Sequence, residues 1–311
     1  MREETLYPRF LRPRIEEALA DSPVVLIHGP RQCGKTTLVR RLGDEAGFPY
    51  FTFDDDVQRA AAQADPVGYV ADLPERAVLD EIQRVPELFT SFKAVVDARR
   101  TPGRFILTGS ANVLLVPKLS DSLAGRMEIL RLHPLSQAEV ARRTPDFLGR
   151  LFAADFRAGP SGRRQGKALA ERVVGGGFPA ALARAAQRRR FAWYRDYAET
   201  LIQRDVRDLA RISALDALPR LLTAAAGQTA CLVNVSELAA PFQVSRPTIR
   251  EYLTLLSRIF LLDELPAWHS NRLKRLVKTP KLHMGDTGLA DGVRKACGRR
   301  GGEGCLNGDR R

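Results

Sequence analysis

No apolar run in this 311-residue sequence approaches the roughly 18–20 residues that a membrane-spanning helix needs. Its first residues, Met1-Arg2-Glu3-Glu4-Thr5, lack the apolar stretch of a secretory signal. Cysteine is scarce: Cys33, Cys231, Cys297 and Cys305 form neither a close metal-ligand pair nor a disulfide framework. A reduced, cytoplasmic protein without membrane contact is the expectation. Lysine is scarce too, 8 residues against 41 arginines, and acids are too few to balance them, leaving a formal net charge of +13. The imbalance is local. Residues 1–150 hold 21 basic and 21 acidic side chains, whereas residues 151–311 hold 28 and 15. A neutral half followed by a basic half points to two tasks. Contact with a polyanion, DNA first, is expected of the second.

Apolar residues make up 44% of the chain, enough for a core, and their grouping is informative. Val24–Ile27, bounded by Pro23 and Gly29, predicts a buried strand. Further strands are expected over Tyr50–Phe53, Ala77–Leu79 and Arg104–Gly109, the second and third of these four ending on acids. Helices are expected over 9–20, 35–42, 57–64, 87–100 and 136–142, with Gly43 and Gly47 ending the second. Such alternation predicts an α/β fold, a parallel sheet with helices on both faces, over residues 1–143. Ligands bind these sheets at the carboxyl ends of the strands. Residues 144–174, rich in glycine and proline, read as an irregular linker. Residues 175–289 read as a mostly helical second domain, including a helix over 190–211 that places Arg204, Arg207 and Arg211 on one face. The tail, 290–311, has six glycines and no aromatic residue and reads as disordered.

Gly29-Pro30-Arg31-Gln32-Cys33-Gly34-Lys35-Thr36 matches the Walker A pattern in full, between the first strand and the second helix. Glycine lets a loop wrap a phosphate with backbone N–H groups, and the helix start adds its positive dipole end. ATP is the expected ligand of residues 29–37, Thr37 included. Lys35 is expected on the β/γ-phosphates and the Thr36 hydroxyl on Mg²⁺. Ala77-Val78-Leu79-Asp80-Glu81 reads as Walker B. Asp80 is expected to hold Mg²⁺ or its water, and Glu81 to polarise the attacking water as a general base or orienting group. Ser110, ahead of Thr108 and Asn112, is the first choice for a residue sensing the γ-phosphate or the attacking water. Arg126 is the candidate arginine finger, acting within its own chain or on a neighbouring copy in a homo-oligomer.

In the second half, Val235–Ala240 reads as a short helix capped by Ser236, and Ser245 as the cap of a longer one from Arg246 to about Leu262. Ile249, Leu253, Leu256 and Phe260 form its buried face. Arg246, Thr248 and Arg250 stand exposed at the end that a recognition helix presents to a major groove. Strands over 262–268 and 278–284 would complete a winged helix.

With these segments in hand the chain resembles the prokaryotic AAA-type ATPases in which a P-loop domain precedes a C-terminal domain of unknown function. The resemblance rests on GPRQCGKTTL, VLDEIQRVP, FILTGSAN, SLAGR, LHPLS, GGGFP and KLHMGDTGLA, spread over residues 10–290. It implies the same roles for Lys35, Thr36, Asp80 and Glu81, a sensor role at Ser110, and a winged-helix module after the ATPase core. It also implies a further nuclease-like α/β region beyond Asp286–Leu289, whereas this sequence ends 22 residues after Leu289. A truncated second domain and reduced solubility are therefore expected. Two functions compete: an ATP hydrolase coupled to a partner, and an ATP-dependent DNA-binding switch with little turnover. A nucleotide-binding remnant and a small-molecule kinase rank below them.

Overall fold

Val24–His28 is buried at every position because it runs through the middle of a parallel sheet and meets helices on both faces. The computed structural model describes residues 6–110, 125–155, 166–207, 215–242 and 244–298. The chain divides into two units, residues 1–144 and 145–311.

In the first unit, helix α1 (Arg12–Asp21) leads into β1 (Val24–His28), α2 (Lys35–Ala46) and β2 (Tyr50–Thr52). Next come α3 (Asp56–Ala64), α4 (Pro66–Ala71), β3 (Ala77–Asp80), α5 (Leu88–Ala98), β4 (Phe105–Gly109), β5 (Met127–Arg131) and α6 (Gln137–Val140). The sheet order is β2-β3-β4-β1-β5, and every pairing is parallel. Residues alternate between its faces. Val24 and Leu26 join Leu79, Phe105 and Leu107 in a core closed by Leu88, Phe89 and Phe92 of α5. Each of these side chains is fully buried, worth about 1.5–3 kcal/mol apiece relative to exposure.

Two expectations need correction here. Gly43 does not end α2; it lies inside it, where an added Cβ would stand 3.0 Å from Val78 Cγ2. Glycine there lets the helix approach β3 closely, and Gly47, at φ 71°, forms the left-handed cap. The edge strand β5 was not expected at all. Its burial is partial, with Ile129 45% exposed, so the period-2 signal is diluted.

The second unit is mostly helical, as expected. Its helices are α7 (Phe147–Phe152), α8 (Gly166–Gly175), α9 (Pro179–Leu182) and α10 (Gln187–Leu201), which runs on as a π-helical turn over Ile202–Val206. Then come α11 (Ala217–Gly227), α12 (Val235–Ala239), α13 (Arg246–Arg258), β6 (Leu262–Leu265), α14 (Arg272–Val277), β7 (Lys281–Met284) and α15 (Thr287–Gly298). Strands β6 and β7 form an antiparallel ribbon, Leu262 facing Met284.

The supposed linker therefore contains two helices, α7 and α8. The supposed disordered tail is helical as far as Gly298, with Val293 buried. Helix α12 is capped by Asn234, not Ser236, through the Glu237 N–H. Ser245 caps α13 as expected. That helix ends at Arg258, short of Phe260, which takes a left-handed turn at φ 61° and is only half-buried. Among the expected positions, Asn112 and Arg211 lie outside the described residues.

Candidate functional site

The loop between β1 and α2 is held from its carbonyl side. Lys35 Nζ, almost fully buried, donates to the carbonyls of Gly29 at 3.0 Å and Pro30 at 2.9 Å. Arg9 donates to the Cys33 carbonyl at 2.6 Å and also to the His133 carbonyl, and its Nε meets Glu139 at 3.1 Å. Glu139 is fixed in turn by the Phe10 N–H and by the reciprocal cap it forms with Ser136. Gln32 (φ 60°) and Gly34 (φ 101°) are left-handed, the alternation that curls successive N–H groups into an anion-binding concavity. Cys33 is buried beneath the loop, and burial pushes its thiol up, which keeps it protonated and a packing group. Thr37 is exposed at the start of α2.

Asp80, at the end of β3, collects three hydroxyls. Thr36 donates to its Oδ2 at 2.9 Å, Tyr50 to the same oxygen at 2.7 Å, and Thr108 to Oδ1. The strand order explains this meeting: β2 and β4 flank β3, and the loop after β1 faces it. Burial and the Asp80 bond push the Tyr50 phenol up to about 12, so it remains a donor. Arg40 lies over its ring, 4.1 Å from the centroid. A hydroxyl and a carboxylate this close are hard oxygen donors, the set that Mg²⁺ prefers. Thr36 and Asp80 are the residues that could hold it.

Glu81 follows in a left-handed conformation, φ 59° and ψ 43°, a strained geometry for a side chain with a Cβ. Its N–H donates to Thr108 Oγ1 at 3.1 Å. Gln83 Nε2 donates to the Glu81 carboxylate and, at 2.9 Å, to Ser110 Oγ. Gln83 Oε1 accepts from the Ser110 N–H at 3.3 Å. Lys35, Thr36, Asp80, Glu81 and Ser110 thus gather at the carboxyl edge of the sheet. Arg9, Tyr50 and Gln83 join them without having been expected.

Comparison with known proteins bears on this arrangement. Residues 21–141 match the model of an AAA domain, and residues 166–296 match a domain of unknown function, DUF8612. Two uncharacterized proteins, of Mycobacterium tuberculosis and Mycobacterium bovis, are each 33% identical over 278 residues, 89% of this chain. A Walker-type ATPase of Pyrococcus abyssi aligns over 94% of this chain and 97% of its own, with a TM-score of 0.56 at 19% identity, a likeness of fold alone. This chain carries, over residues 21–141, an AAA-type P-loop ATPase domain. It spans 57% of the length of the two mycobacterial relatives.

Within this AAA fold, Arg126 is not near the loop. It precedes β5, whose first residue, Met127, pairs with Val24 at the amino end of β1, whereas the loop leaves the carboxyl end. Five residues of strand, about 16 Å, separate the two edges. Arg126 there forms a two-pronged pair with Asp97, at 2.6 and 2.8 Å. The expectation that it serves its own site is corrected on that ground.

In the second unit, Arg246 is exposed at the start of α13. Thr248 is engaged with Ser245 Oγ at 2.8 Å, and Arg250 reaches Glu264 of β6 at 3.4 Å. Among the described residues no group of three or more His, Cys, Asp and Glu side chains could hold a metal. No helix there is long and apolar enough to cross a membrane.

Proposed function

We propose that this protein binds ATP with Mg²⁺, hydrolyses it to ADP and phosphate, and transmits the cycle to a partner through its second unit. The bond between Thr36 and Asp80 carries this reading, because it joins the phosphate loop to the strand end beside Glu81. Lys35 sits at the loop, from which its ammonium can turn to the β/γ-phosphates. A bound Mg²⁺ would neutralise charge on the phosphates. Glu81 takes a proton from water as its oxygen attacks the γ-phosphorus and ADP departs. Ser110, tied to Glu81 through Gln83, is placed to report on the γ-phosphate. Its location would be cytoplasmic, consistent with the buried, free Cys33.

Phosphate release from ATP tests the reading. Glu81→Gln should lower turnover by about a hundredfold or more while leaving ATP affinity within about threefold. Lys35→Ala should abolish ATP binding. Turnover in the parent no higher than in Glu81→Gln would overturn hydrolysis, and lost ATP binding in Glu81→Gln would overturn its assigned role. Arg126, at the far edge of the sheet, would have to serve a second copy. Turnover per chain that does not change with protein concentration would remove that role.

The second unit favours a nucleic-acid partner. Helix α12, a turn, helix α13 and the β6/β7 ribbon follow one another in the order of a winged helix, in the half of the chain that carries the whole basic excess. The competing reading, a DNA-binding switch with little turnover, predicts DNA affinity that changes with bound ATP in the Glu81→Gln variant.

A further inference from the structure

The connection between β6 and β7 is chemically unlike the helix start to which DNA contact was first assigned. From Leu265 to Gly285 the sequence holds five basic side chains, Arg272, Lys274, Arg275, Lys278 and Lys281, and no acidic one. Trp268 stands 82% exposed in that connection. An indole in water forgoes the burial that makes tryptophan worth having, and with Leu265, Leu273 and Val277 also exposed the connection presents apolar surface among its cations. The surrounding turn is built rather than loose. Arg275 Nε donates to the His269 carbonyl, with its guanidinium carbon 5.8 Å from the centre of the indole. The Asn271 side chain accepts from the Leu273 N–H at 2.9 Å, capping α14, and the Asn271 N–H donates to His269 Nδ1 at 3.0 Å. Lys278 and Lys281 are exposed beyond the helix.

At the start of α13 the picture differs. The Thr248 hydroxyl is spent on Ser245, and Arg250 is matched by Glu264. Two of the three side chains that a groove-reading helix would present there are engaged in this way, leaving Arg246 exposed beside them. An exposed ring in a stretch of five cations and no acid suits unstacked bases and a phosphate backbone instead. We propose that residues 266–281 form a binding site for single-stranded DNA, in which Trp268 stacks on a base and Arg275, Lys278 and Lys281 neutralise phosphates. This rests on the reading that the second unit contacts nucleic acid, and it moves that contact from α13 to the ribbon connection.

The test is fluorescence anisotropy of a labelled 20-nucleotide oligo-dT with the full chain, against a mixed-sequence duplex of equal length. The oligo-dT should bind more tightly than the duplex at low salt. Trp268→Ala should weaken it about tenfold or more. Lys278→Glu with Lys281→Glu should weaken it further and flatten log affinity against log salt by roughly 1.4. Trp268→Phe, which keeps a ring, should retain most of the affinity but lose the quenching of tryptophan emission on binding. Trp193, the other tryptophan, is packed against Phe178 and Tyr197 and serves as the internal reference. An unchanged unfolding midpoint in each variant guards against misfolding. Absence of binding to either nucleic acid at low salt would overturn both the nucleic-acid reading and this placement. Binding that survives Trp268→Ala and the double charge reversal, or that prefers the duplex, would overturn the placement alone.

Discussion

At Gly29 an added Cβ would stand 2.2 Å from the Leu132 carbonyl oxygen; at Gly176 it would stand 2.1 Å from the Tyr194 hydroxyl and 2.2 Å from Asp286 Oδ1. The two glycine-rich turns look alike in sequence, yet their surroundings differ in kind. Around the first, charged and hydroxylic side chains from four segments meet at a sheet edge, three of them bonded to one carboxylate. Around the second, the protein fills the space with its own groups. Asp286 accepts from the Gly177 N–H at 2.7 Å and caps α15 through the Leu289 N–H at 3.0 Å. Tyr194, fully buried, donates to the Gly175 carbonyl at 3.0 Å, while Gly288 and Gly292 leave room for its ring and its Cβ. The GGGFP and GDTGLA segments are therefore two halves of one buried lock. Close approach by the chain marks both glycines, so what distinguishes the first is the gathering of Lys35, Thr36, Asp80 and Glu81 beside it, not the glycine itself.

Substitution of the two glycines should separate these roles, with the largest effect at the lock. Gly176 sits at φ 64°, so alanine there is strained even before it meets two buried polar groups. Gly176→Ala should cost more than about 3 kcal/mol in the second unit, as overpacking and backbone strain add. Both tryptophans, Trp193 and Trp268, belong to that unit, so their emission follows its unfolding alone. Gly29→Ala should instead spare the tryptophan transition and abolish ATP binding. Equal effects of both variants on ATP affinity would dissolve the contrast.

How far the two regions could be read in advance follows the same division. The first four strands were legible because apolar runs end on acids or glycine, and the loop, Asp80 and Glu81 because each motif is contiguous. Tyr50, Gln83 and Thr108 have no such signal as partners. They meet Asp80, Glu81 and Ser110 only through the order of β2, β3 and β4, which pattern along the chain does not carry. Arg9 is one arginine among 41. In the second unit, the part of α15 beyond Leu289 reads as disorder because small residues such as Gly292 pack closely against Tyr194. Close packing of that kind leaves little apolar periodicity to detect.

Acid should distinguish the regions with a somewhat smaller effect. His28, ending β1, is held down to about 4 by burial first, then by Arg131, Lys35 and His133. It is neutral when folded, whereas an unfolded histidine takes up a proton near pH 6.5. Its contribution is therefore present above that pH and drains away as pH falls toward 4, by up to about 3 kcal/mol. Burial pushes the Asp286 carboxyl up, so the lock gains relative stability as pH falls through its titration. Between pH 6.5 and 4 the first unit should become the weaker one. Circular dichroism should report a transition preceding the tryptophan change, and His28→Gln should remove most of the advance. Simultaneous loss of both signals at every pH would contradict this sign.

The smallest expected effect is the one that bears most directly on whether the first region is a working site or a second lock. Gln83 spans two strand ends, giving one N–H pair to Glu81 and Ser110 and accepting the Ser110 N–H in return. If that bridge only fastened β3 to β4, its loss would appear as lowered stability. If it positions Glu81 for water, its loss should appear in kcat. Gln83→Ala should reduce kcat about tenfold with KM for ATP nearly unchanged, the signature of an interaction used only in the transition state. Ser110→Ala on that background should add little, since both substitutions break the same bridge. Full additivity in kcat, or a lowered unfolding midpoint with kcat intact, would make Gln83 a fastening and bring the two regions closer in kind.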